Sequence, residues 1–112
     1  MTTTGRFWDR LSDELKTASD RARKEAERAV RTGVLQMDLV SLRRDRQRTR
    51  AMLGERVLEL WSGDKLETVV SDSETLRLKD VVQSIELLID AKEQELRTVR
   101  ARTVVSAAPA AS

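Results

Sequence analysis

The sequence predicts an all-α protein: a long N-terminal helix and a returning helix that form an antiparallel coiled-coil hairpin, completed by oligomerisation. Three observations lead there. Two apolar stripes with steps of three and four residues run over residues 35–60 and 78–99, with one short turn-rich stretch between them. Proline and glycine total only 5 of 112 residues, too few for the many turns of a sandwich or barrel. Charged side chains make up 36% of the chain and aromatics 3%, which suits long solvated helices rather than a thick globular core.

Residues 1–5 read as a short flexible lead. From Arg6 no proline occurs until Pro109, so no backbone donor is lost over that span. Phe7, Trp8, Leu11, Leu15, Ala18, Ala22, Ala26, Ala29 and Gly33 fall on one helical side, predicting an amphipathic, Ala-rich helix over residues 6–34. The stripe is bulky at first and mostly alanine after Leu15.

A seam follows at Leu35, Leu39, Leu42, Arg46, Thr49, Leu53, Val57 and Leu60, close to a heptad pattern with two polar interruptions. No proline or turn cluster surrounds Gly33, which favours a continuous or mildly kinked helix over a break there with Asp38 as a fresh cap. Trp61-Ser62-Gly63-Asp64 reads as the helix end, with Gly63 in the left-handed conformation and Trp61 packed over Leu58 and Leu66. The turn occupies residues 62–73. Ser71 or Ser73 is the expected N-cap of the last helix, with Glu74 completing a capping box after Ser71. The returning helix carries Leu78, Val82, Ile85, Ile89, Lys92, Leu96, Val99 and Thr103 at alternating steps of four and three, widened by Val81 and Leu88. Residues 35–103 are thus expected to form the hairpin, and 104–112 a disordered tail.

Letting Leu60 face Leu78 sets facing residue numbers to a sum of about 138, which pairs Leu53 with Ile85, Leu42 with Leu96 and Leu39 with Val99. This register also sets Arg46 opposite Lys92, two cations in one apolar seam, an arrangement that calls for heads escaping to solvent or anions sharing the layer.

Composition narrows the chemistry. The chain has no His, Cys or Tyr, so it lacks the usual zinc ligands, a thiol nucleophile and an imidazole base. Its serines, threonines and lysines stand in no nucleophile motif, and its glycines are isolated rather than gathered into a phosphate-cradling loop. No catalytic residue, metal site or cofactor is expected. The net charge of +2 is too small to argue for a nucleic-acid partner by itself. No apolar run reaches membrane-span length, and MTTTGRFWDRLSDELK has charges where a secretory signal needs an apolar stretch, so a cytoplasmic protein is expected.

Two segments offer binding chemistry. Arg43, Arg44, Arg46, Arg48 and Arg50 put five guanidinium groups in eight residues, a set able to contact a polyanion. On a helix they splay, and no aromatic interleaves them to stack bases, so a salt-bridged solvated face is the favoured reading. Phe7, Trp8, Leu11 and Leu15 form an apolar patch flanked by Arg6, Arg10 and Lys16. Helix–helix packing in an oligomer is its first reading and contact with a membrane surface its second. Glu86, Asp90 and Glu93 share one helical face, and without histidine they read as a solvated acidic surface. Gly54 weakens its helix and suits the close approach of another helix.

Phe7-Trp8-Asp9-Arg10-Leu11, Leu53-Gly54-Glu55-Arg56-Val57-Leu58-Glu59-Leu60 and residues 81–96 together resemble a loose group of small bacterial coiled-coil proteins of unassigned function, many of which end in a zinc ribbon. The resemblance implies a helical hairpin and no particular activity. This chain departs from the pattern in having no cysteine, so no ribbon-dependent role carries over. The expectation is a non-enzymatic scaffold or adaptor with a homo-oligomeric or helical protein partner. A peripheral membrane role through the N-terminal helix is the alternative, and nucleic-acid binding through Arg43–Arg50 is weaker.

Overall fold

The computed structural model describes residues 2–107, with side chains described over residues 5–102. Helix α1 spans Thr2–Ser62, a one-turn 3-10 helix spans Leu66–Thr68, and helix α2 spans Ser73–Ala107. The two long helices pack against each other as an antiparallel hairpin, with principal extents of 94 × 23 × 17 Å. At 1.5 Å per residue the 61-residue α1 accounts for nearly all of the long dimension.

Nothing between Thr2 and Ser62 stops a helix once the downstream stripe has nucleated it. The lead expected over residues 1–5 is therefore the first turn of α1 from Thr2 onward, and Met1 lies outside the described residues. Gly33 is helical, and no break occurs there. A Cβ added at Gly33 or Gly54 would meet nothing within 4 Å, so neither glycine is required by packing within this chain. Helix α2 likewise continues through residues 104–107, which were expected to be disordered, because Val104, Val105, Ser106 and Ala107 contain no breaker. Residues 108–112 lie outside the described residues.

The end of α1 differs from expectation by one residue. Asp64, at φ 58°, takes the left-handed position, and Gly63 does not. Lys65 N–H donates to the Leu60 carbonyl at 2.7 Å and Asp64 N–H donates to that of Trp61 at 3.1 Å, the paired bonds of a Schellman ending with Gly63 as the last half-helical residue. Trp61 is 63% exposed rather than packed as a lid, because it stands about 100° round the helix from buried Leu60.

The start of α2 is capped by Asp72, not Ser71 or Ser73. Its Oδ2 accepts from Thr75 N–H at 2.9 Å and from the Thr75 hydroxyl at 2.8 Å. A carboxylate satisfies the orphan donor and meets the positive helix end, and here an arginine also holds it in place. Ser71 instead donates its hydroxyl to the Thr68 carbonyl.

Burial follows the two stripes. Leu35, Leu39, Leu60, Leu78, Val82, Ile89 and Leu96 are buried, and Leu42, Leu53, Val57, Ile85 and Val99 are half-buried. Leu35, Leu39, Ile89 and Leu96 form one cluster, with Leu42, Ile85 and Val99 packed against it. Removing such a side chain from water contributes about 1.5–3 kcal/mol, and the stripe of them holds the two helices together.

The register is one heptad away from the expected one. Among the described residues, ion pairs across the hairpin include Arg31–Glu95, Arg56–Asp72, Asp38–Lys92, Arg43–Glu93 and Arg50–Glu86, and their residue numbers sum to 126, 128, 130, 136 and 136. Pairs on the two flanks of an antiparallel seam straddle the facing layers, so these sums centre the seam on about 131 rather than 138. On that register Leu35 faces Leu96, Leu42 faces Ile89, and Leu53 faces Leu78. Arg46 faces Ile85 and Lys92 faces Leu39, so the two cations do not oppose each other. Lys92 reaches sideways to Asp38 at 3.5 Å, and Arg46 is half-buried and in no ion pair among the described residues. A seven-residue repeat maps onto itself when slid by seven, which is why stripe matching alone admits both alignments.

The shift moves the boundary of the hairpin. Ala107 lies level with Lys24, and Lys24, Glu27, Arg28 and Arg31 share a shallow cleft with Val99 and Arg102. Helix α2 therefore covers α1 from about residue 24, not from Leu35. The part of α1 before that point projects from the hairpin as an arm.

Candidate functional site

The arm carries the most conspicuous exposed apolar surface. Phe7 and Trp8 are each 60% exposed and Leu15 is 63% exposed, while Leu11 is half-buried among its neighbours. The Phe7 and Trp8 rings meet edge to face with centroids 5.5 Å apart. Ala18, Ala22, Ala26 and Ala29 continue this face and are exposed. At 100° per residue the stripe sits about 120° round α1 from the seam that holds α2. It is a second apolar side of the same helix. Charge lies beside it: Arg10, Glu14, Arg21 and Glu25 are exposed and form no ion pair among the described residues.

Arg56 and Asp72 make the firmest polar contact of the hairpin. Arg56 Nε donates to Asp72 Oδ2 at 2.9 Å and Nη2 donates to Oδ1 at 2.7 Å, a two-point clamp between α1 and the cap of α2. With the two Thr75 donors, the carboxylate accepts four hydrogen bonds. The Arg56 bonds, then those of the Thr75 backbone and hydroxyl, hold the Asp72 carboxyl far below the usual carboxylate range. The same pair, helped by Glu59, raises the Arg56 guanidinium above its ordinary value. Glu74 is lowered chiefly by its hydrogen bonds from Arg77. The clamp escapes a stripe reading that takes Val57 as the seam residue. Strict steps of four, three and four from Thr49 give Leu53, Arg56 and Leu60, and that alternation is the signal that finds it.

The arginine cluster does not converge on one surface. Arg43 pairs with Glu93 at 3.4 Å and Arg50 pairs with Glu86 at 2.6 Å. Arg46 is half-buried in the seam, and Arg44 and Arg48 are exposed on other sides. Glu86 and Glu93, expected as a solvated acidic face, are half-buried at the hairpin edge as the partners of these arginines. Among the described residues no three carboxylates are gathered so as to hold a metal ion. No described helix is long and apolar enough to cross a membrane.

Surface concavities are shallow and open. One lies beside the alanine stripe, between Ala26, Val30 and Val34, with Arg23, Glu27 and Arg31 at its rim. Val30 is 67% exposed, so this groove is apolar and uncovered. Its shape suits a side chain from another helix rather than an enclosed small molecule. No family model, curated protein or solved structure matches the chain.

Proposed function

We propose that this chain is a non-enzymatic cytoplasmic scaffold or adaptor that acts through helix–helix association, either with further copies of itself or with a helical protein partner. One observation carries the reading. The hairpin satisfies a single side of α1, and the projecting arm leaves Phe7, Trp8 and Leu15 each at least 60% exposed on a side that no other described residue covers. Contiguous exposed apolar surface of this kind marks an association site. The absence of His, Cys and Tyr and the open form of the concavities support a binding role over catalysis.

The test is the mass of the full-length chain by light scattering during size exclusion, measured from about 1 to 100 µM, the range where interfaces at the small end of the usual sizes associate. A mass that rises above 12.7 kDa with concentration supports association. A monomer throughout, with no helical partner retained, removes it.

A second reading draws on the position of Phe7 and Trp8 at the tip of the arm, between Arg6 and Arg10. There an indole can sit at headgroup depth with cations beside it. Flotation with vesicles of zwitterionic and of anionic lipid tests it. Co-flotation that Trp8→Ala abolishes favours a membrane surface.

A further inference from the structure

We infer that the arms of two copies pair antiparallel, each laying its bulky residues on the alanines of the other about a two-fold axis at Ala18. This inference rests on the self-association reading and specifies its contact.

Size complementarity sets the register. In an antiparallel pair whose facing residue numbers sum to 36 or 37, Phe7 meets Ala29, Leu11 meets Ala26, Leu15 meets Ala22, and Ala18 meets itself. Phe7, Leu11 and Leu15 then each face an alanine, so the helix axes stay evenly close along that stripe. Trp8 and its symmetry mate fall beside the uncovered groove at Ala26, Val30 and Val34.

Charge complementarity agrees. Arg10, Glu14, Arg21 and Glu25 alternate in sign along one edge of the stripe. Reversed against itself, the series sets Arg10 against Glu25 and Glu14 against Arg21 of the other copy, four cross pairs in all. Their numbers sum to 35, closer to the stripe register than several of the hairpin's own bridges are to theirs.

Coverage agrees as well. Helix α2 reaches α1 only from about residue 24, and the paired arm would cover residues 7–29, so α1 would have a neighbouring helix along almost its whole length. An overlap of about 34 Å buries on the order of 1,000 Å², near the lower edge for a specific interface.

The chain has no cysteine, which makes single-cysteine mapping on the full-length protein direct. With axes about 9–10 Å apart, facing Cα atoms lie about 4.4–5.4 Å apart, within disulfide reach. Ala18→Cys is expected to form a disulfide dimer on oxidation, while Asp20→Cys, on the far side of the helix, stays reduced. Leu11→Cys mixed with Ala26→Cys is expected to cross-link as a heterodimer, with neither linking to itself. Arg10→Glu is expected to weaken the dimer at least threefold, and adding Glu25→Arg to restore it. A chain that scatters as a dimer while Ala18→Cys stays reduced, or whose Leu11→Cys links to itself, overturns this pairing but leaves self-association standing. A monomer at every concentration overturns both.

Discussion

Replacing Leu35 by alanine removes three carbon atoms from the one large side chain that is fully buried among the described residues, at 0% exposure, clustered with Leu39 of its own helix and Ile89 and Leu96 of the other. The lost transfer free energy is about 2.4 kcal/mol at roughly 0.8 kcal/mol per carbon. Helix α2 closes over the site, so the hole collapses only in part, and the unfilled volume brings the cost to about 3 kcal/mol. For a two-state domain of this size that corresponds to a fall in Tm of roughly 10–20 °C. Met37, two residues away on α1, is 75% exposed, and Met37→Ala is expected to change stability by less than about 0.5 kcal/mol. Urea unfolding of both variants, followed by far-ultraviolet circular dichroism, measures the difference. A loss below about 1 kcal/mol for Leu35→Ala, or equal losses for the two variants, would refute the placement of the seam.

Three further outcomes follow from local geometry. Because the Asp72 carboxyl is depressed in the folded chain, its contribution to stability is present above the unfolded carboxylate range near pH 4 and is lost as the pH falls through the lower folded value. Acid titration of Tm should therefore show a steeper decline for the parent chain than for Asp72→Asn, and parallel curves would contradict the clamp. Asp64→Gly relieves a left-handed residue at the end of α1, and after the entropy that glycine adds to the unfolded chain it should gain about 0.5–1 kcal/mol in chemical denaturation. Gly54→Ala should gain about 1 kcal/mol, since nothing lies within 4 Å of the added methyl group. A loss there in dilute solution would mean that another chain packs against that turn.

The elements were legible because their causes are local. Steps of three and four marked both seams, and the absence of breakers around Gly33 carried α1 through it. The alignment of the helices was not legible in the same way. Sliding by seven residues returns Leu on Leu, and only the flank pairs, such as Arg50 with Glu86 and Arg31 with Glu95, separate the two choices. Three adjacent polar residues, Ser71, Asp72 and Ser73, each have capping chemistry, and the choice among them falls to Arg56, sixteen residues back in sequence. Glycine is the default left-handed residue, yet the left-handed position falls one residue later, on Asp64, because the hydrogen bonds from Asp64 and Lys65 set the phase. At the arm, the apolar patch was visible in the sequence. That α2 stops short of it depends on the register and so was not.

The most direct test of the account is an intramolecular disulfide across the seam, formed at a concentration low enough that the chain is monomeric. Leu35→Cys with Leu96→Cys should oxidise rapidly and migrate faster on a non-reducing gel, because the two residues share a layer. Leu42→Cys with Leu96→Cys should stay reduced, since seven residues along a helix is about 10 Å, beyond disulfide reach. The opposite pattern would contradict the hairpin alignment, and with it the projecting arm on which the proposed association depends.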